Sequence, residues 1–124
     1  MEPWIVDTLE KFTQSMGIDD FKLPQNNVVC FNFEKSGRFF IEFNNENVLL
    51  YLARQVDVHE ASLLEKAFYV CHYKESLPYA VNVGLKGEDT LVFLIKLPVQ
   101  EFDFPSLEKA LSLLMQLHHN LRKE

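Results

Sequence analysis

Three short stretches in the first half of the chain alternate with the two-residue period of extended backbone, yet each carries apolar side chains on both faces. That combination limits the possible folds more than any other feature. Residues 28–33 and 38–43 are separated by Glu34-Lys35-Ser36-Gly37, and residues 48–54 follow Asn44-Asn45-Glu46-Asn47. Both breaks have hairpin chemistry, so the stretches read as an antiparallel meander. One face would carry Val29, Phe31, Phe33, Phe39, Ile41 and Phe43, and the other Val28, Cys30, Phe40, Leu49 and Tyr51. Neither set is polar enough to face water, so both sides of the sheet need a cover.

Upstream of the meander, Ile5, Leu9, Phe12 and Met16 recur at helical spacing over residues 3–16, with Pro3 suited to a first turn. Gly17 fits a left-handed residue just past that helix, with Ile18 folding back on the last turn. Residues 19–27 read as loop. After Asp57 the period changes: Leu64, Phe68 and Cys71 fall on one stripe with Leu63, Ala67 and Val70 beside it, which predicts a broadly apolar helix opened by Asp57 or His59 and running to about Lys74. Ser76-Leu77-Pro78 stops it. Residues 79–85 and 90–97 predict a second hairpin around Lys86-Gly87-Glu88-Asp89, and Pro98 and Pro105 bracket a loop. Leu107, Ala110, Leu114, Leu117 and Leu121 then stripe a terminal helix running to Arg122. The order αβββαββα makes an α+β domain spanning residues 1–124, an antiparallel sheet with helices packed on it. A chain of 124 residues is long enough for an independent core.

The charge balance narrows the partners. Twelve Lys plus Arg stand against 18 Asp plus Glu, a net charge of −6, and the longest basic cluster is Arg122-Lys123, so nucleic acid is not an expected partner. Cys30 and Cys71 show no CxxC spacing and the chain opens on Met1-Glu2-Pro3, which is no secretory signal, so the reducing cytoplasm is the expected compartment. The longest apolar run, 48–53, falls far short of the roughly 20 residues that span a bilayer.

Candidate chemistry is sparse. His118 and His119 are adjacent, so their rings point to different faces of a helix and cannot hold one metal as an i, i+4 pair does. Cys71-His72 lacks the geometry of a thiol nucleophile and its base, and both cysteines read as small buried hydrophobes. Asp19-Asp20 and Glu88-Asp89 sit where carboxylates cap turns. Gly84-Leu85-Lys86-Gly87 is neither a phosphate loop nor a dinucleotide fingerprint, and His59 fits a helix cap. No catalytic, metal or cofactor site is expected, and the chain does not read as an enzyme.

What remains is the two-sided sheet. The first and last helices can cover one face. The second would be left to the helix over 57–74, itself apolar, and this points to a buried interface with another subunit. The alternative is that the helices cover both faces unaided.

The order of elements, the acidic charge and the apolar surplus together resemble the class I type III secretion chaperones of Gram-negative bacteria (the CesT/SycE-like fold), and among them the SycN type. The resembling features are Pro3-Trp4-Ile5 opening the first helix, Met16-Gly17 closing it, Ser36-Gly37 in the first hairpin, Leu50-Tyr51-Leu52-Ala53-Arg54 with His59 shortly after, and the Leu-rich terminal helix. The resemblance implies a cytosolic dimer that holds an extended N-terminal segment of a secreted protein and delivers it to the export apparatus, with peripheral association at the inner membrane. For the SycN type it implies a second, homologous small chaperone as partner and a gatekeeper protein as client. By position in the family, Leu64, Phe68 and Cys71 with Val92 and Leu94 would form the dimer contact. Client contacts would fall on Trp4 and Val6, which also lie off the core stripe of the first helix, and on Phe40 and Tyr51, with the Phe-rich strands supplying the apolar surface. A small regulatory scaffold of longin or profilin type mixes the same kinds of element, and a third class is a small hydrolase or isomerase, which would require a carboxylate or histidine inside an apolar pocket.

Overall fold

Alternating side chains sort onto the two faces of one antiparallel sheet in the computed structural model, which describes residues 3–18, 26–33, 37–56, 65, 67, 79–87 and 89–121. The strands are β1 (Val28–Phe33), β2 (Gly37–Phe43), β3 (Asn47–Gln55), β4 (Val81–Lys86) and β5 (Thr90–Pro98), in spatial order β1-β2-β3-β5-β4. Consecutive hairpins make β1-β2-β3 and β4-β5, and β5 joins the two groups along β3. The register lines up Phe31, Phe39, Leu52, Phe93 and Val83 in one row across all five strands.

Both terminal helices, α1 (Pro3–Ser15) and α2 (Phe104–Leu121), pack on this Phe-rich face, as the sequence predicts. From α1, the Phe12 ring meets Phe31 edge-on at 5.3 Å and lies 6.0 Å from Phe39. From α2, the buried His118 donates Nε2–H to the Leu52 carbonyl at 2.8 Å and sets its ring at right angles to Phe93. Leu9, Phe12, Phe39, Ile41, Leu50, Phe93 and Leu114 are wholly excluded from water. His119 is exposed, on a different face from His118.

Helix ends follow local chemistry. Gly17 adopts φ +73°, its N–H bonds the Gln14 carbonyl, and the Ile18 N–H reaches back to Thr13 at 2.9 Å. This double bond closes α1 while Ile18 packs against the core. Where the sequence reads a loop between Pro98 and Pro105, there is a 3₁₀ turn at Val99–Glu101, and α2 begins one residue before Pro105. Proline is tolerated there because N–H groups of a first turn have no helical partner. Glu65 and Ala67 are helical and Ala67 is fully buried in the common core, while the remainder of the predicted 57–74 helix and the Arg122 end lie outside the described residues.

Asp103 caps α2 by accepting the Ser106 N–H at 2.8 Å, and this bond, with the Ser106 hydroxyl, holds its carboxyl below the usual carboxylate range. Such a cap stabilises most above the unfolded carboxyl value, roughly pH 4, and is lost as pH falls through the lower folded one. Asp103→Ala is therefore expected to cost about 0.5–1 kcal/mol at neutral pH, the lower part of the cap range because the site is exposed. In urea unfolding the gap between the variant and the parent should close in acid. A gap that persists below about pH 3 would assign the effect to something other than the charged cap.

Candidate binding surfaces

The face of the sheet turned away from α1 and α2 is built by the alternate residues. Cys30, Phe40, Tyr51, Leu94 and Asn82 form one row across β1, β2, β3, β5 and β4, and Asn32, Arg38, Ala53, Val92 and Gly84 form the next. Phe40 stacks on Tyr51 at 4.8 Å with planes 16° apart. The Tyr51 hydroxyl donates to Glu42 Oε1 at 3.2 Å, and partial burial, then the Glu42 carboxylate, pushes the phenol pKa up. Phe40, Tyr51, Val92 and Leu94 are each half-buried.

Two cations converge on the Phe40 ring. The Arg38 guanidinium lies 6.0 Å from its centroid and the Lys86 ammonium 5.3 Å. Lys86 belongs to β4, three strands away in the sheet order. In a flat sheet three spacings of about 4.8 Å exceed what a lysine side chain spans, so the twist of the sheet carries the Lys86 end of β4 toward Phe40 on this face. Ala53 and Gly84, in the row between, present little or no side chain to hold the two ends apart. Both cations also act on Cys30: the partial desolvation of this largely exposed thiol pushes its pKa up, and Arg38, then Lys86, pull it part of the way back.

Phe40 and Tyr51, assigned to the client, share one continuous face with Val92 and Leu94, assigned to the dimer contact. Trp4 is on the opposite side, on α1. It is 40% exposed, 6.4 Å from Phe102, and borders a cleft of about 370 Å³ with an apolar floor of Ile5, Phe43 and Val99 and a rim of Asn27, Asn44 and Asn45. Val6 is half-buried and does not line that cleft. Leu64, Phe68 and Cys71 lie outside the described residues.

Two expectations are corrected. Cys30 is exposed rather than buried, because β1 is an edge strand and Cys30 points to the face turned away from α1 and α2. The Phe residues do not supply the second surface. Among the described strand residues only Phe40 lies there, since Phe31, Phe33, Phe39, Phe43 and Phe93 all alternate onto the helix-covered side. The nearness of Arg38 to Phe40 follows from their i, i+2 spacing on one strand. That of Lys86 depends on the twist of the sheet and leaves no local signal.

The sequence pattern of the type III secretory system chaperone SycN matches residues 4–122. The chain belongs to this family of type III secretion chaperones. Solved structures share the fold of this SycN-family chain at low identity. A chain of the ExsC–ExsE complex superposes with a TM-score of 0.72 at 14% identity, over 94% of this chain and 90% of that one. For the ExoT–SpcS complex of Pseudomonas aeruginosa the values are 0.66 and 13%, over 98% and 100%. For SycH of Yersinia pestis in complex with a stable fragment of YscM2 they are 0.64 and 12%, over 91% and 96%. No curated protein matches in sequence. The family assignment replaces the longin- or profilin-like scaffold as the reading of this SycN-family chain. Among the described residues, no helix is long and apolar enough to cross a membrane.

Proposed function

We propose that the chain holds an extended N-terminal segment of a secreted, gatekeeper-type client in an export-competent form, as a dimer with itself or with a homologous small chaperone. In this reading it works without catalysis or cofactor in the bacterial cytoplasm and meets the export apparatus peripherally at the inner membrane. The observation that carries the reading is the half-buried face around Phe40, Tyr51, Val92 and Leu94, which α1 and α2 do not cover. The sheet order adds a second support: β1 and β4 are edge strands, and such edges bind extended chains through backbone hydrogen bonds while alternate side chains enter apolar pockets. An unfolded segment loses ordering entropy on binding, so a sizeable apolar surface has to offset it.

Pull-down of the tagged chain from its native cell, read by mass spectrometry, should recover a secreted protein, with or without a second small chaperone, and sedimentation should show a dimer. Phe40→Ala should weaken retention of the client segment about tenfold, which corresponds to losing one aromatic anchor. Trp4→Ala separates the two candidate surfaces: a similar loss there brings the α1 cleft into the client site, and an unchanged affinity removes it. A chain that sediments as a monomer at micromolar concentration and retains no secreted protein would sink the proposal.

A further inference from the structure

We infer that the Phe40 surface selects a client segment in which an apolar anchor and a carboxylate stand two residues apart, the anchor on the Phe40–Tyr51 stack and the carboxylate between Arg38 and Lys86. The inference rests on the client-holding reading above and names the chemistry of its occupant.

Charge carries it. In a chain with a net charge of −6 and only 12 basic residues, two of them converge on one aromatic ring, and neither has a carboxylate partner among the described residues. An aromatic face attracts a cation, but two like charges over one ring repel, and an anion placed between them relieves that repulsion while keeping both ring contacts. The nearby carboxylate, Glu42, lies two residues beyond Phe40 on the side away from Arg38 and takes the Tyr51 hydroxyl. The surface therefore has direction: positive on the Arg38 side of the stack, apolar at the stack, and negative on the Glu42 side. An extended segment shows every second side chain to one face, about 6.8 Å apart, which matches the spacing from Phe40 to Arg38 along β2. An apolar residue seated on the stack therefore brings the residue two positions away to the cations.

A displayed library of random dodecapeptides, selected on the full-length chain, reads this directly. An acidic residue should be enriched two positions from an aliphatic or aromatic one. In a solution titration, the best peptide should bind about tenfold more tightly than its Asn/Gln counterpart, the size expected for a charge flanked by two cations at a partly desolvated site. On the Arg38→Gln, Lys86→Gln double variant the acidic preference should vanish and the apolar one survive. Phe40→Ala should lower the affinity of both peptides alike. Enrichment of apolar residues without acid, or acid preference that persists in the double variant, overturns the inference and leaves the client-holding function standing. No enrichment at all removes both. A change in the dimer dissociation constant of the double variant by sedimentation would assign the surface to a second copy, and the inference would fall.

Discussion

Replacing Phe39 by alanine is expected to remove about 4 kcal/mol of stability, whereas the same change at Phe40, its neighbour in sequence, removes about 1 kcal/mol. Phe39 is wholly excluded from water, stacked at 6.4 Å on both Phe31 and Phe33 and contacted by Phe12 from α1. Its removal leaves a cavity at the meeting point of the sheet and a helix, where rigid neighbours limit collapse. For a domain of this length that loss corresponds to a fall of roughly 15 °C in Tm and takes a large part of the roughly 5–15 kcal/mol available. Phe40 is half-buried, and its stacking on Tyr51 can be replaced in part by water and by the relaxed side chains of Arg38 and Lys86. Thermal or urea unfolding of the two variants measures the difference. If Phe40→Ala proves as costly as Phe39→Ala, the second face is core, and the client surface built on it disappears.

That contrast also marks how far the sequence could be read. Period-two alternation sorted Phe39 and Phe40 onto opposite faces, and the structure keeps that sorting with the register Phe39↔Leu52 and Phe40↔Tyr51. The end of α1 was equally legible, because Gly17 and Ile18 supply a local motif whose hydrogen bonds lie within the six residues from Thr13 to Ile18. Legibility failed where position depends on the shape of the whole sheet. Alternation says which face a residue takes, but not how sharply the sheet coils, so the approach of Lys86 to Phe40 across three strands left no trace in the sequence. The β3–β5 pairing was not legible either, and it sets Tyr51 directly beside Leu94 on one face. Alternation alone makes both faces of the strands apolar and assigns the Phe-rich strands to the client surface. In fact the second face is mixed, with Arg38, Glu42, Lys86 and Lys96 around its apolar centre, and so tolerates partial exposure.

Gly37→Ala is expected to cost about 3 kcal/mol, although the substitution adds a single methyl group. Gly37 opens β2 with φ +105°, a region L-residues rarely enter, and a Cβ there would run into the carbonyl oxygen of Ala53 on β3. Backbone strain of this kind costs about 1–3 kcal/mol by itself. The collision adds to it because Ala53 is held from both sides, by Arg38 on β2 and Val92 on β5, and cannot retreat without opening the centre of the sheet. Gly17→Ala is the matched control: its φ of +73° is also positive, but nothing stands within reach of the added carbon, so only the conformational term of about 1 kcal/mol should appear. Gly37 thus fixes where β2 starts against β3, and this start decides the face of every later residue. A slip by one position would carry Phe40 and Arg38 to the helix-covered side and Phe39 into solvent. Urea midpoints for the two alanine variants test the account, with Gly37→Ala lowering Tm by roughly 10 °C and Gly17→Ala by a few degrees. Equal losses at both positions would mean that Gly37 is needed for its backbone angle alone and that β3 yields to the hairpin.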